Sequence, residues 1–218
     1  MRSTNGWKIT VLVGAMAAIP LRAQVVAYDN TSNFQTVSTR GNIEIGDEIN
    51  LTTGATTITE FSFEYSFTGT SPATGLLRVW DKTGSGGLIP GNMLYQSAPF
   101  PLQSGFHSVS ETGLSVPVPG TLVWTVDFDG VTGSDNAGLL FYNGVGVGGG
   151  PGQSFDNHWE NLGTVLAPNW TLANNSGVID NFGARVTVVP ESNFTAFLVA
   201  CGLVAFAALR VKREVSHD

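Results

Sequence analysis

The sequence predicts an all-β protein: an antiparallel β-sandwich or jelly roll, flanked by a signal peptide and a single C-terminal transmembrane helix. Three observations lead to this class. Apolar and polar residues alternate with a period of two in several segments. Clusters of Gly, Asn, Pro and Asp separate these segments at short intervals. No helical period occurs between the two ends of the chain, whereas each end carries an apolar run without a charge.

The first 23 residues have the three parts of a secretory signal peptide. A positively charged start is followed by the apolar segment 9–19, and a proline ends that segment. Ala23 is the small residue at the predicted cleavage point, and a second candidate point follows Ala27. The sequence therefore predicts that the chain is exported from residue 24 onward.

The exported domain is predicted to span residues 24–188, which is enough chain to bury its own core. Three segments alternate most clearly, and these apolar residues are predicted to face the core: Phe61, Phe63, Tyr65 and Phe67; Leu122, Trp124, Val126 and Phe128; Phe182, Ala184, Val186 and Val188. Further strands are predicted at 24–28, 46–51, 75–81, 93–97, 138–142 and 170–173. Because the only cysteine is Cys201, no disulfide can brace this domain.

The exported domain is strongly acidic. It contains 14 acidic and 4 basic residues, a formal charge of −10, compared with −7 for the whole chain. Such a surface repels phosphate backbones, so the sequence predicts no nucleic-acid partner. Extracellular polysaccharide and metal cations are the ligand classes compatible with this charge.

Catalytic motifs are missing from the exported domain. Its histidines are His107 and His158, and no cysteine is present to pair with either. The sequence also contains no nucleophile elbow, zinc-binding His-Glu-x-x-His segment or phosphate-binding loop. Paired carboxylates from separate strands, as in glycoside hydrolases, cannot be recognised from sequence. We therefore predict no catalytic residues and no enzymatic activity.

Calcium is the one metal that the pattern supports, and Asp47 with Glu48 forms the weaker of two candidate places. Asp127, Asp129 and Asp135 lie at a strand end and in the turn that follows, where oxygen ligands are concentrated. Their spacing does not match an EF-hand loop. The alternative is a solvated strand end followed by an Asx turn. The sequence predicts no cofactor other than this calcium ion.

Three tryptophans are candidates for binding polysaccharide. Trp80, Trp159 and Trp170 would stack on sugar rings, with neighbouring polar residues donating hydrogen bonds. The alternative is that these residues pack in the interior or anchor loops, which is the commoner role of tryptophan. Trp124 alternates with polar residues and is assigned to the core.

Residues 189–218 combine a short motif, an apolar run and a basic tail. The run 194–209 has 16 residues without a charge, and as a helix it spans about 24 Å, against about 30 Å for a hydrocarbon core. Arg210, Lys212 and Arg213 follow it and favour the cytoplasmic side. The sequence thus predicts a transmembrane helix at 194–209, with the domain outside and the basic tail inside.

Val189, Pro190 and Glu191 immediately precede this apolar run. Together with the run and the basic tail, they resemble the PEP-CTERM sorting signal, whose common motif is Pro-Glu-Pro; Ser192 stands at the second proline. Much of the remaining chain is similar to exported PEP-CTERM proteins of environmental bacteria that have no assigned activity. The resemblance implies an exosortase as partner. That enzyme would process the membrane-anchored chain, which then joins the cell surface or extracellular matrix.

The functional expectation has two forms. The first is an exported cell-surface or matrix protein that an exosortase sorts and that has no catalytic activity of its own. The alternative is a carbohydrate-binding module with a structural calcium ion.

Overall fold

The described part of the chain is built of β-strands and their connections. A computed structural model describes residues 23–39, 41–53, 56–143, 150–173 and 181–190. Within these ranges there are fifteen strands and no helix. The strands are Val25–Asp29 (β1), Phe34–Val37 (β2), Glu44–Asn50 (β3), Thr56–Thr68 (β4), Thr74–Trp80 (β5), Met93–Gln96 (β6), Phe100–Pro101 (β7), Gly105–Val118 (β8), Thr121–Asp129 (β9), Asn136–Tyr142 (β10), Gln153–Ser154 (β11), His158–Asn161 (β12), Trp170–Ala173 (β13), Asn181–Phe182 (β14) and Ala184–Pro190 (β15).

These strands form two antiparallel sheets that pack together as a β-sandwich. The first sheet has the order β1-β15-β4-β10-β14, with β2 also paired to β10 and β8 to β4. The second has the order β13-β12-β3-β9-β5-β6, with β11 also paired to β3 and β7 to β5. The predicted all-β sandwich is confirmed at this level, while the finer assignment as a jelly roll stays a prediction.

The long strand β4 organises the first sheet. Along one edge it pairs first with β15, from Thr56 to Phe63, and then with β10, from Tyr65 to Thr68. Along the other edge it pairs with β8. Because side chains alternate across a strand, the four aromatic residues of β4 face the same side, and each is at most 2% exposed.

The core lies between the two sheets. All twelve residues predicted to face it are at most 2% exposed, which confirms the alternation in these three strands. Trp124 links the sheets, because its ring lies 5.4 Å from that of Phe61, 5.8 Å from Phe63 and 6.4 Å from Phe182. Burial of each such side chain contributes about 1.5–3 kcal/mol, so core packing is the main source of stability in a domain without disulfides.

Three strands of four or more residues were not predicted from the sequence pattern: β2, β8 and β12. The strand β8 is the clearest case, since among the described strands it pairs only with β4 and lies at the edge of the first sheet. Polar residues such as His107 and Glu111 occupy positions on the same face as Val109. Serines occupy much of the other face. Neither face of β8 is therefore consistently apolar, and the strand lacks the alternation that predicts a β-strand.

The membrane-related predictions lie largely outside the described residues. This holds for the predicted signal peptide up to residue 22 and for the predicted transmembrane helix at 194–209. Within the described ranges, no helix is long and apolar enough to cross a membrane.

Candidate functional site

The outer face of the second sheet carries a buried ion cluster, formed by Glu44, Arg78 and Asp127. The strands β3, β9 and β5 lie side by side, so antiparallel pairing brings one residue from each strand together. Arg78 forms ion pairs with both carboxylates: Nη1 lies 3.0 Å from Glu44 Oε2, and Nη2 lies 3.1 Å from Asp127 Oδ2. Because Glu44 and Arg78 are only 4% and 6% exposed, this ion pair is withdrawn from solvent.

Neutral side chains complete the hydrogen bonding of the ion cluster. Thr125 Oγ1 donates to Glu44 Oε1 at 2.6 Å, and Asn161 Nδ2 donates to Glu44 Oε2 at 2.9 Å. Arg78 Nε donates to Gln96 Oε1 at 3.0 Å. Buried charges are tolerated when they are paired and hydrogen-bonded in this way. The ion cluster therefore ties the central strands of the sheet together.

The three tryptophans predicted to stack on sugars come together on this same outer face. The rings of Trp80 and Trp170 meet edge to face at 5.3 Å, and those of Trp159 and Trp170 at 6.4 Å. Trp80 Nε1 donates to Thr125 Oγ1 at 2.9 Å. Trp80 and Trp159 are each 3% exposed, whereas Trp170 is half-buried. Neither Trp80 nor Trp159 offers a free ring face, so the packing alternative describes both residues better than sugar stacking does.

The three aspartates predicted as calcium ligands do not converge on one point. Asp135 Oδ2 accepts hydrogen bonds from the backbone N–H groups of residues 70 and 71 at 3.1 and 2.7 Å. Asp127 forms an ion pair with Arg78. Burial nevertheless raises the pKa of Asp127, because it outweighs the lowering effect of the Arg78 charge. Asp129 is exposed at the end of β9. A calcium ion shared by all three therefore has no support in this geometry.

A groove of about 330 Å³ lies beside the ion cluster, next to the turn that follows β12. Asn42 and Asn161 contribute amide groups to its lining. However, Asn42 exchanges hydrogen bonds with the backbone of Val131 at 2.6 and 2.7 Å. Asn161 Oδ1 accepts from the backbone N–H groups of residues 163 and 169, both at 2.9 Å. These amides hold loops in place and leave little bonding capacity for a ligand.

An exposed aromatic patch occupies the outer face of the first sheet and was not predicted. It consists of the exposed rings of Phe34 and Phe106 and is bordered by Glu64 and by Tyr142, which is only 6% exposed. The ring of Phe34 lies 6.0 Å from that of Phe106 and 5.8 Å from that of Tyr142. Phe34 is 47% and Phe106 63% exposed. Phe34 and Phe106 lie on β2 and β8, two strands that the sequence pattern did not reveal.

Polar groups border this aromatic patch. The Tyr142 hydroxyl donates a short hydrogen bond to Glu64 Oε2. Burial raises the pKa of Tyr142, and the neighbouring carboxylate of Glu64 raises it further. The hydroxyl therefore stays protonated at neutral pH. Exposed ring faces beside a fixed hydroxyl and a carboxylate form a surface suited to a flat, hydroxyl-rich ligand.

Both histidines of the domain take part in ring packing. His158 is fully buried and contacts the rings of Phe141 and Phe182 at 6.1 and 5.4 Å. His107 stacks on Tyr65 at 5.5 Å. These contacts describe packing roles for both imidazoles, and the absence of catalysis stays a prediction.

The first two residues of the predicted sorting motif belong to the folded domain. Val189 and Pro190 end β15 and pair with β4, and Thr56 Oγ1 donates to the Val189 carbonyl at 2.7 Å. The last strand thus runs two residues past the predicted boundary at 188. At the other end, the exposed Ala23 lies just before β1. The remaining predicted sorting residues lie outside the described part of the chain: Glu191, Arg210, Lys212 and Arg213.

Comparison with known proteins adds no relative to this description. No protein-family model, no curated protein and no solved structure matches the chain. The residues of this chain are therefore the sole basis for inferring its function.

Proposed function

We propose that the protein is an exported domain that an exosortase sorts to the cell surface or extracellular matrix, with no catalytic activity of its own. The observation that carries this proposal is the order of features over residues 189–213. A Val-Pro-Glu motif is followed by 16 apolar residues and then by three basic residues. Each feature alone is common, but their succession resembles a PEP-CTERM signal. The apolar segment 194–209 would hold the chain in the membrane until processing.

The limits of the folded domain are consistent with processing at both ends. A cut near Pro190 and Glu191 would fall at the end of β15 and would leave its pairing with β4 intact. Signal cleavage after Ala23 would spare β1, whereas cleavage after Ala27 would remove three residues of that five-residue strand. Ala27 is also fully buried. These facts favour Ala23 over Ala27 as the cleavage point.

Processing at the motif is testable with two substitutions outside the described strands. In a host that carries an exosortase, we expect Glu191→Ala to leave most of the protein uncut and in the membrane fraction. Ser192→Pro restores the common Pro-Glu-Pro form, and we expect it to be processed at least as completely as the natural chain. The measurement is an immunoblot of membrane, surface and medium fractions, with an exosortase-deleted host as reference. Equal processing of all three chains in both hosts would contradict the proposal.

Polysaccharide binding is the second candidate function, and the aromatic patch is the observation that favours it. Phe34 and Phe106 expose apolar ring surface that the fold itself does not cover. Tyr142 and Glu64 supply a hydroxyl and a carboxylate at its border. An exported domain with such a surface could retain matrix polysaccharide without changing it.

The double substitution Phe34→Ala with Phe106→Ala tests this second function. We expect it to weaken retention on insoluble polysaccharides by about tenfold, since aromatic residues at the centre of a binding surface carry most of the affinity. Leu166→Ala is the matched control, because Leu166 is 94% exposed and lies outside the patch. The measurement is a pull-down on a panel of polysaccharides. Equal retention of the double variant and the control would rule out the patch as the binding surface.

A further inference from the structure

A cluster of oxygen-bearing side chains is buried between the sheets, at the junction of β1, β3, β11 and β14. At its centre is Asp47, which is fully buried on the face of β3 that also carries Ile45 and Ile49. A buried carboxylate is costly unless other groups pair with it or donate hydrogen bonds to it. Asp47 Oδ2 accepts a hydrogen bond from the backbone N–H of Phe182 at 3.3 Å, which places β14 against the carboxylate.

Three further oxygen-bearing residues lie at this junction of strands. Asn181 precedes Phe182, is fully buried, and donates from Nδ2 to Asp156 Oδ1 at 3.1 Å. Ser154 lies opposite Ile49 in the β11–β3 pair, so its side chain shares the interior face with Asp47. Tyr28 is fully buried as well. Burial raises its pKa, and the negative charge of Asp47 raises it further, which reflects their proximity.

Several of these oxygen atoms have unused bonding capacity. Tyr28 Oη, Ser154 Oγ and Asn181 Oδ1 are buried and lack a well-formed hydrogen bond within the described part of the chain. The Ser154 hydroxyl approaches that of Tyr28 but does not satisfy it geometrically. A buried polar atom without a partner costs about 1–3 kcal/mol. Three of them around one carboxylate indicate that something else occupies their bonding directions.

We propose that a calcium ion binds here, ligated by Asp47, Asp156, Ser154 and Asn181, with Tyr28 at the margin of the site. Calcium takes six to eight oxygen ligands and accepts carboxylates, amide carbonyls and hydroxyls together. Among the described residues, no three His, Cys, Asp or Glu side chains converge as a metal-ligand group. The ligand set therefore depends on neutral oxygens, which suit calcium better than zinc or another transition metal.

The position of the site gives the ion both access and a structural role. Asp156 is exposed, so it forms the solvent side of the site, while Asp47 forms the buried side. The ion would connect segment 150–157 and β14 to the central strand β3. This link would brace the sandwich in a domain that has no disulfide. It is independent of exosortase processing and also differs from the trio of Asp127, Asp129 and Asp135.

Calcium binding is measured on the full chain in mild detergent after removal of metal with a chelator. At a calcium concentration of about a hundred times the dissociation constant, we expect the Tm to rise by about 5–10 °C. Terbium is the second probe. Trp124 lies directly opposite Asp47 in the β3–β9 pair, so excitation of tryptophan should sensitise luminescence of the bound lanthanide. Calcium should displace terbium and quench this signal.

Two matched aspartate substitutions locate the ion. Asp156→Ala removes an exposed ligand without opening the core, and we expect calcium affinity to fall by about tenfold or more. Asp129→Ala removes an exposed aspartate outside the site, and we expect no change. A Tm shift reduced to about half or less at the same calcium concentration, with weaker luminescence, in Asp156→Ala alone supports the assignment. Absence of both signals in the natural chain, or equal loss in the two variants, would overturn it.

Discussion

Glu44→Ala is expected to lower the free energy of unfolding by about 3 kcal/mol, because it breaks one side of a buried ion pair. Arg78 would keep Asp127 as a partner but lose its bond to the more deeply buried carboxylate. Thr125 and Asn161 would lose their acceptor as well. The measurement is urea unfolding of the full chain in mild detergent, followed by tryptophan fluorescence.

Two further variants distinguish the loss of the buried ion pair from the effect of removing any negative charge. Glu60→Ala is the matched control, since Glu60 is half-buried and bonds only the exposed Ser110 among the described residues. We expect it to change the free energy of unfolding by less than about 1 kcal/mol. Replacing Glu44 and Arg78 together by methionine should recover part of the loss, since apolar residues often substitute for a buried ion pair, although Thr125 and Asn161 still lack their acceptor. Equal effects of Glu44→Ala and Glu60→Ala would show that Glu44 is solvated.

Phe61→Ala is expected to destabilise the domain strongly, because it removes a ring from the centre of the core. Phe61 is fully buried between the sheets and packs against Trp124 at 5.4 Å. Its removal forfeits buried apolar contacts and leaves a cavity, at a cost of about 3–5 kcal/mol in the free energy of unfolding. The urea midpoint should fall while the slope of the transition stays constant, since the surface exposed on unfolding changes little.

Phe106→Ala is the matched control for this substitution. The same atoms are removed from β8, which pairs with β4, but Phe106 is 63% exposed. We expect a change within about 0.5 kcal/mol. Comparable losses in the two variants would contradict the assignment of Phe61 to the core and of Phe106 to the surface. A small effect of Phe106→Ala on stability also validates its use in the polysaccharide test.

The sandwich could be predicted because its central strands obey a simple alternation. Where one face meets the core and the other is polar, as around Phe61 and Trp124, period two identifies both the strand and its inner residues. β8 does not follow this rule, since His107 and Glu111 share a face with Val109. Its existence depends on pairing with β4, which is a tertiary property that local pattern cannot reveal.

The sequence identified the three tryptophans as candidates but could not show how they pack on the outer face of the second sheet. Alternation placed Trp80 on one face with Leu76 and Arg78, which left open whether that face is buried. It could not show that Trp159 and Trp170 from distant strands cover Trp80. The aromatic patch was missed because Phe34 and Phe106 lie on unpredicted strands. Asp47 did leave a signal, since an acidic residue between Ile45 and Ile49 interrupts an apolar face. Its surroundings, which are formed mainly by residues more than 100 positions later in the chain, could not be read from that segment.

The most direct test of the proposed sorting is the intact mass of the protein recovered from an exosortase-bearing host. The proposal predicts a mature species that begins at Gln24 and ends at Pro190 or Glu191, found in the surface or medium fraction. A mature species that still contains the apolar segment 194–209 would contradict the proposal and indicate a protein that stays anchored by that segment.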